Sequence, residues 1–400
     1  MTLQTTDWIA AAAAQQSATI ALRRAIHADP ELGLSCHRTT TRLKAALEDL
    51  SLDIRDSQRT SGFIARLDGT RPGRTVLLRG DMDALPIHED TGLEFASRTP
   101  GHMHACGHDT HSAMLAGAAR ILARCRDEIE GTILFMFQPG EEGHHGARHM
   151  IEEGLLDDPA PDAAFALHIF PNLPGGLIAC REGALLASTD TLLATVRGRG
   201  GHAAMPHDAI DPIPATCEAV MALQVYVARR TTFTDPVVLS ITQINAGSAH
   251  NIIPDRVEIV GTLRTLSDRV RQDARAAFRR IVENIADAHG CTAEASIDPG
   301  YPAAINDPRA VGLIRDCATA LFGENGYHSI PAPIMGGEDF AYVLQKVPGA
   351  MAILGVAPPD GDPSARAPIH NSKMIVEEAH LARGVALHCA LATRFLEAGW

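Results

Sequence analysis

Nothing in this 400-residue chain approaches the run of about 20 apolar residues that a membrane-spanning helix needs, so no such span is expected. Paired cysteines are missing too. The eight cysteines stand singly, at Cys36, Cys106, Cys125, Cys180, Cys217, Cys291, Cys317 and Cys389, with no CxxC pair. That scatter excludes a disulfide-stapled scaffold and makes any special cysteine a ligand or nucleophile rather than half of a bridge. Basic charge is in deficit: 35 Lys and Arg against 48 Asp and Glu leave a formal charge of -13, which argues against a nucleic-acid-binding surface. The N-terminus shows no basic segment leading into an apolar run and a cleavage site, so the expectation is no signal peptide and a cytoplasmic location. No internal repeat stands out. What is present is ordinary globular composition, 46% hydrophobic and 21% charged, in a chain too long for one core. Two domains are expected.

Periodicity places the elements. Apolar residues recur at helical spacing over Ala21 to His27, Thr39 to Leu50 and Asp109 to Arg126, the last with Asp109 and Thr110 as a cap-like start. Thr75 to Leu78, Thr132 to Phe137 and Asp162 to His168 read as buried strands, each running into a polar loop. Apolar strands alternating with helices imply a sheet covered on both faces, with any ligand beyond the carboxyl ends of its strands. From about Thr189 the texture changes. Thr191 to Val196, Val237 to Gln243 and Val257 to Leu263 read as half-exposed strands, and Pro212 to Ala228 and Asp268 to His289 as helices. Helices near Pro308 to Phe322 and Glu377 to Leu396 resume the first pattern. The expected fold is α/β. A catalytic domain with a central mixed, mostly parallel sheet covered by helices spans residues 1–187 and 298–400. A smaller inserted α+β domain spans residues 188–297.

Chemistry concentrates in Met103-His104-Ala105-Cys106-Gly107-His108-Asp109-Thr110-His111. Cys106 and His108, two apart, would share one side of an extended segment, and a thiolate with an imidazole suits zinc or a similar divalent ion. Gln138 to Gly143 places Glu141 and Glu142 between glycines after a strand. Adjacent carboxylates cannot easily face one point, so one can ligate a cation while its neighbour holds a proton. His168 closes a strand, and His370 sits in Ala367-Pro368-Ile369-His370-Asn371. Together Cys106, His108, Glu142, His168 and His370 exceed what one zinc with an open position needs. They suit two cations about 3.5 to 4 Å apart, with Cys106 as candidate bridge. In Asp81-Met82-Asp83, the second carboxylate, Asp83, is assigned to orient a ligand imidazole.

Four of these runs carry a resemblance: Arg79 to Pro86, Met103 to Asp109, Gln138 to Gly143, and Gly198-Arg199-Gly200-Gly201-His202-Ala203-Ala204. Ser248 to Asp255 and Met335 to Phe340 extend it. The chain resembles the metal-dependent amidohydrolases of the aminoacylase and carboxypeptidase superfamily. The nearest branch holds hippurate hydrolases, bacterial N-acyl-amino-acid amidohydrolases and plant indole-acetyl-amino-acid hydrolases. The resemblance implies that the inserted domain is a lid used for dimerisation, giving a homodimer or homotetramer. It implies Cys106, His108, Glu142, His168 and His370 as metal ligands, Glu141 as general base and Asp83 as the orienting aspartate. His202 matches a lid histidine that reaches the active site, in related enzymes from the partner subunit. Asn251 matches a lid residue near substrate, and Arg264 and the backbone at Gly336 are candidates for the substrate carboxylate.

The expected activity is metal-dependent hydrolysis of the amide bond of an N-acyl amino acid, by a metal-activated water with Glu141 taking its proton. Two divalent ions per subunit are expected, with zinc, manganese, cobalt and nickel all suited to these ligands. Aromatics make up only 4% of the chain, so no aromatic acyl pocket is advertised. Hippurate, N-acetyl-amino acids, N-acetyl-diaminopimelate and indole-acetyl conjugates stay open as substrates. A dipeptidase or carboxypeptidase would use the same chemistry. A non-catalytic metal- or ligand-binding relative is the alternative of another class, and the pairing of Glu141 with Glu142 speaks against it.

Overall fold

Strands buried along nearly their whole length need cover on both faces, and two such runs, Ala163–Phe170 and Gly349–Gly355, pair side by side. The computed structural model describes residues 7–400, and the chain divides into two compact units. The larger unit comprises residues up to Leu185 with Ile305–Ala332 and Asp339–Trp400; the smaller comprises Leu186–Ala304 and Pro333–Glu338.

In the larger unit eight strands form one sheet. Their order is Asp53–Asp56, Phe63–Asp68, Glu130–Gln138, Arg71–Asp81, Ala163–Phe170, Gly349–Gly355, Ile178–Cys180 and Tyr327–Ser329. The four middle strands, from Glu130–Gln138 to Gly349–Gly355, are mutually parallel. Their carboxyl ends therefore open onto one edge. From Arg71–Asp81 the chain steps to one side for Glu130–Gln138, then to the other for Ala163–Phe170. The strand order reverses between Arg71–Asp81 and Ala163–Phe170, and beyond the carboxyl ends at such a switch point an α/β sheet leaves a crevice. Asp81, Gln138 and His168 stand at those ends.

Three helices, Trp8–His27, His108–Arg124 and Leu381–Ala398, pack against one another, and the latter two lie on the strand Arg71–Asp81. Trp8–His27 starts where the Asp7 carboxylate accepts from the Ile9 and Ala10 N–H groups, 3.0 Å each. Its buried residues Trp8, Ala12, Gln15, Thr19, Arg23 and Ile26 recur at three- and four-residue steps. His108–Arg124 is buried at every position from His108 to Ala119, which makes its first turn a rigid platform.

The smaller unit is a four-stranded antiparallel sheet, ordered Val237–Ala246, Arg256–Thr265, Asp190–Arg197 and Thr292–Pro299. The helices Pro212–Arg230 and Asp268–Ala288 pack on it. Burial alternates along Asp190–Arg197 and Arg256–Thr265, as a sheet with one covered face requires. Leu192, Ile259, Leu263 and Phe278 centre its core. Asp190 is gripped by Arg271 (2.8 Å) and Arg275 (2.5 Å), which fixes the helix Asp268–Ala288 to the strand.

Several local expectations are corrected. The helix expected from Asp109 begins at His108, and its cap is Gly107, at φ 84°, with no side-chain cap bond. Asp109 turns instead to Arg23 (2.7 Å) and His27 (2.8 Å). The helix expected over Thr39 to Leu50 stops at Ala45 and resumes as a single turn, Glu48–Leu50, ended by Ser51 in the left-handed region. The strands Phe63–Asp68, Thr292–Pro299 and Gly349–Gly355 were not anticipated. Thr292–Pro299 hides because its inward residues are mostly alanine, and Gly349–Gly355 because its apolar run is small and glycine-bounded. No helix among the described residues is long and apolar enough to cross a membrane.

The smaller unit's core rests on a few large side chains. Phe278→Ala, fully buried there, should cost about 3–5 kcal/mol of that unit's stability. Chemical denaturation followed by far-UV circular dichroism measures it, and a loss below about 1 kcal/mol would contradict this packing.

Candidate metal centre

Gly107 brings the two leading candidates together. Cys106 ends a loop and His108 opens a helix, so they converge through the left-handed turn at Gly107 rather than along one side of an extended segment, as the spacing suggested. A Cβ at Gly107 would lie 2.5 Å from Ile169 Cγ1, so the position is closed to other residues on two counts.

Two groups of three share Cys106. The ligand atoms of Cys106, His108 and His168 lie within 4.8 Å of one another, and so do those of Cys106, Glu142 and His370. Cys106 Sγ is 3.4 Å from His168 Nε2, and Glu142 Oε1 is 3.1 Å from His370 Nε2. His370 arrives on a turn with φ 64°, pinned by its own N–H donating to the Ala105 carbonyl at 2.7 Å. The five residues named from sequence thus meet at the carboxyl edge of the sheet.

Glu141 and Glu142 face the same point, against expectation. Each carboxylate comes within 3.9 Å of His108 Nε2. The reason is the tight turn between Gly140 and Gly143, both at positive φ, which folds the pair back on one side. Asp83 holds that turn: its two oxygens accept the Glu141 and Glu142 N–H groups at 3.0 and 3.1 Å, and Oδ1 lies 3.5 Å from His108 Nδ1. Its main grip is therefore on the carboxylate loop, with the imidazole at longer range.

Two residues that sequence reasoning left without a role, Arg79 and Asp339, tie these parts together. Arg79 donates to Asp81 (2.5 Å), Gln138 (2.8 Å) and Asp339 (3.0 Å), all buried. Asp339 also accepts from the Ala147 N–H at 2.9 Å, anchoring the far side of the glutamate turn. Arg79 and Asp339 lay within motifs already noted, but their partners are far apart in the chain. Burial pushes the Asp339 carboxyl up to about 6, against the pull of Arg79. Burial works the same way on Asp81, yet the Arg79, His108 and His111 charges hold it well below the usual carboxylate range.

The donor set fits divalent cations. Both ring nitrogens of His108 are buried without a hydrogen bond, a costly state that coordination would relieve. The protonation of the cluster points the same way. Burial drives the Cys106 thiol up. Burial lowers His108, but the Asp81 and Cys106 charges win and hold it well above an ordinary imidazole. Hydrogen bonds to Cys106 and Glu142 push His370 up to about 10. His168 is driven well down by burial and by His111, leaving a neutral ring.

The remaining candidates belong to the smaller unit. His202 is exposed on the short strand Gly201–His202, paired with Ile252–Ile253, and its Nδ1 accepts from the Ala204 N–H at 3.0 Å. Asn251, just before the strand Ile252–Ile253, is exposed, its carbonyl taking the Ala203 N–H at 3.1 Å. Arg264, half-buried on the strand Arg256–Thr265, has no carboxylate within ion-pair distance among the described residues, and burial lowers its pKa. The Gly336 carbonyl accepts the Ala187 N–H at 2.9 Å.

Comparison with known proteins follows this geometry. Residues 77–394 match the model of peptidase family M20/M25/M40. Thermostable carboxypeptidase 1 of Saccharolobus solfataricus is 38% identical over 97% of this chain and 95% of its own length. N-acetylcysteine deacetylase of Bacillus subtilis is 40% identical over 84% of this chain and 87% of its own. The crystal structure of the Bacillus subtilis YxeP protein, described as a dinuclear metal-binding peptidase of the M20 family, superposes with a TM-score of 0.83 at 35% identity. It covers 96% of this chain and 99% of that one.

The His370 shift gives a pH dependence with a definite sign. In the cation-free protein the raised imidazole stabilises the fold fully below its ordinary value of 6.5 and loses that contribution as pH rises through about 10. Cation binding must displace the proton, so affinity should rise with pH, about tenfold per unit for each proton displaced. Calorimetric titration at pH 7 in buffers of differing protonation enthalpy should show at least one proton released per chain. Release of none would contradict the arrangement.

Proposed function

The chain belongs to peptidase family M20/M25/M40 and is a hydrolase of amide bonds, and from its centre we propose that it removes the acyl group from small N-acyl amino acids. The observation that carries the reading is the pair of three-residue groups meeting at Cys106, with Glu141 standing outside both. A pair of divalent cations held by Cys106, His108, Glu142, His168 and His370 would supply Lewis acidity and a water of lowered pKa. Zinc, manganese, cobalt and nickel all suit that donor set.

The protein's own part is proton handling and positioning. Glu141 accepts the proton of the attacking water at a carboxylate oxygen and returns it to the departing amine nitrogen. Asp83, through the Glu141 and Glu142 N–H groups, keeps that carboxylate from drifting. We assign His202 to the developing oxyanion and Asn251, Arg264 and the Gly336 backbone to the substrate. Arg264 is the natural partner for a free carboxylate, since it is half-buried and has no carboxylate at ion-pair distance among the described residues. A deacetylase among the relatives supports a small acyl group. The 38% identity to a carboxypeptidase favours a second reading, cleavage of a C-terminal residue from a short peptide, which needs the same carboxylate contact.

A homodimer or homotetramer, with the smaller unit at the contact, is part of the same proposal. Ile213, Met221 and Val225, at 39%, 64% and 58% exposure, line one stripe of the helix Pro212–Arg230. A stripe of that kind suits a second copy of the chain. The eight cysteines are all free, in keeping with a reducing compartment such as the cytoplasm.

Glu141→Gln should keep cation binding within about twofold and lower kcat by about 10² to 10⁴. An active, cation-loaded variant would falsify the base assignment. A panel of N-acetyl, N-benzoyl and indole-acetyl amino acids against dipeptides separates the two substrate readings: faster turnover of dipeptides would favour the peptidase. Met221→Glu should shift sedimentation toward the monomer, and an unchanged oligomer would move the contact elsewhere.

A further inference from the structure

His111 closes the cysteine- and histidine-rich run, yet it belongs to neither group that meets at Cys106. Both of its ring nitrogens are spoken for. Nδ1 lies 2.6 Å from Asp81 Oδ1, and Nε2 accepts the Ile169 N–H at 2.9 Å. An imidazole that accepts at Nε2 must carry its proton on Nδ1, so it donates to Asp81 and stays neutral. Burial, which lowers its pKa, agrees with that state.

The Ile169 contact falls where the sheet leaves a gap. The ladder between Arg71–Asp81 and Ala163–Phe170 ends at Arg79 opposite Ala166, while the second strand runs on. Past that point this edge of the strand end is held to the helix His108–Arg124 by the His111 ring, while its other edge stays paired with Gly349–Gly355 as far as Phe170. The same peptide then fixes the candidate ligand: the Ile169 carbonyl accepts the His168 Nδ1–H at 2.7 Å. That bond sets the His168 tautomer and turns Nε2 toward Cys106 Sγ at 3.4 Å.

We propose that His111 is a positioning residue that acts through the Ile169 peptide to hold His168 in register with Cys106 and His108. It touches neither substrate nor cation. The chain of contacts runs from Arg79 to Asp81, His111, Ile169, His168 and Cys106. The inference rests on the cation reading of the centre. It adds an asymmetry that the reading lacks, because only the His168 group depends on His111, while Glu142 is held by the Asp83 carboxylate and His370 by the Ala105 carbonyl.

The test is a calorimetric titration of metal-free wild type, His111→Phe and His111→Gln with manganese(II) or zinc(II). Phe keeps the ring volume and loses both bonds; Gln can still accept the Ile169 N–H. Wild type should bind two cations per chain. His111→Phe should weaken one event about 10- to 100-fold, the usual cost of losing such a support, and leave the other within about threefold. His111→Gln should recover most of the lost affinity. Both events unchanged in His111→Phe, or both weakened alike with no rescue by Gln, would overturn the proposal. Wild type binding no cation would instead overturn the reading beneath it. Melting of the metal-free variants separates a packing defect from a positioning one, since only a packing defect lowers all three measurements together.

Discussion

One sulfur atom carries the arrangement. Cys106 Sγ is the only ligand-type atom common to the two groups that also contain His108 with His168 and Glu142 with His370. A thiolate within reach of both groups would let two divalent cations sit close, by offering each a share of one anion. Its position is set by backbone, not by its own flexibility. Gly107 in the left-handed region passes the chain from the Cys106 loop into the buried first turn of a helix, and Ile169 fills the space where any larger residue would reach.

Around that atom the protein has placed an unusual number of buried ionisable groups. Arg79, Asp81, His108, His111, Glu141 and Asp339 are all buried. Burying so much polarity is costly and contributes little to net stability. What it supplies is definition: Arg79 joins two strand ends and the segment at Asp339, and Asp83 clamps two consecutive N–H groups of the glutamate turn. Each candidate ligand is thus tied to backbone from a different part of the chain. The fold supplies the convergence, since the middle strands are parallel and their order reverses at Arg71–Asp81.

Much of this was legible in the sequence, for physical reasons. Cysteine, histidine and glutamate gathered in short motifs at or beyond apolar strands point to shared chemistry, so Cys106, His108, Glu142, His168 and His370 declared themselves. The reasons for their convergence were less accessible. The spacing of Cys106 and His108 suggested an extended segment, whereas a glycine turn does the work. Glu141 and Glu142 were expected to diverge, and a turn with two positive-φ glycines folds them together. Asp339 and His111 act through partners distant in the chain, which no local pattern reveals. Strands such as Thr292–Pro299 and Gly349–Gly355 carry too little bulk to announce themselves, and only their neighbours make them strands.

The claim at the centre is that two cations flank the Cys106 sulfur. Anomalous diffraction from crystals grown with manganese(II) addresses it directly. The account predicts two peaks about 3.5 to 4 Å apart, one on the His108–His168 side of Sγ and one on the Glu142–His370 side. A single peak, or a pair that leaves Cys106 uncoordinated, would contradict it.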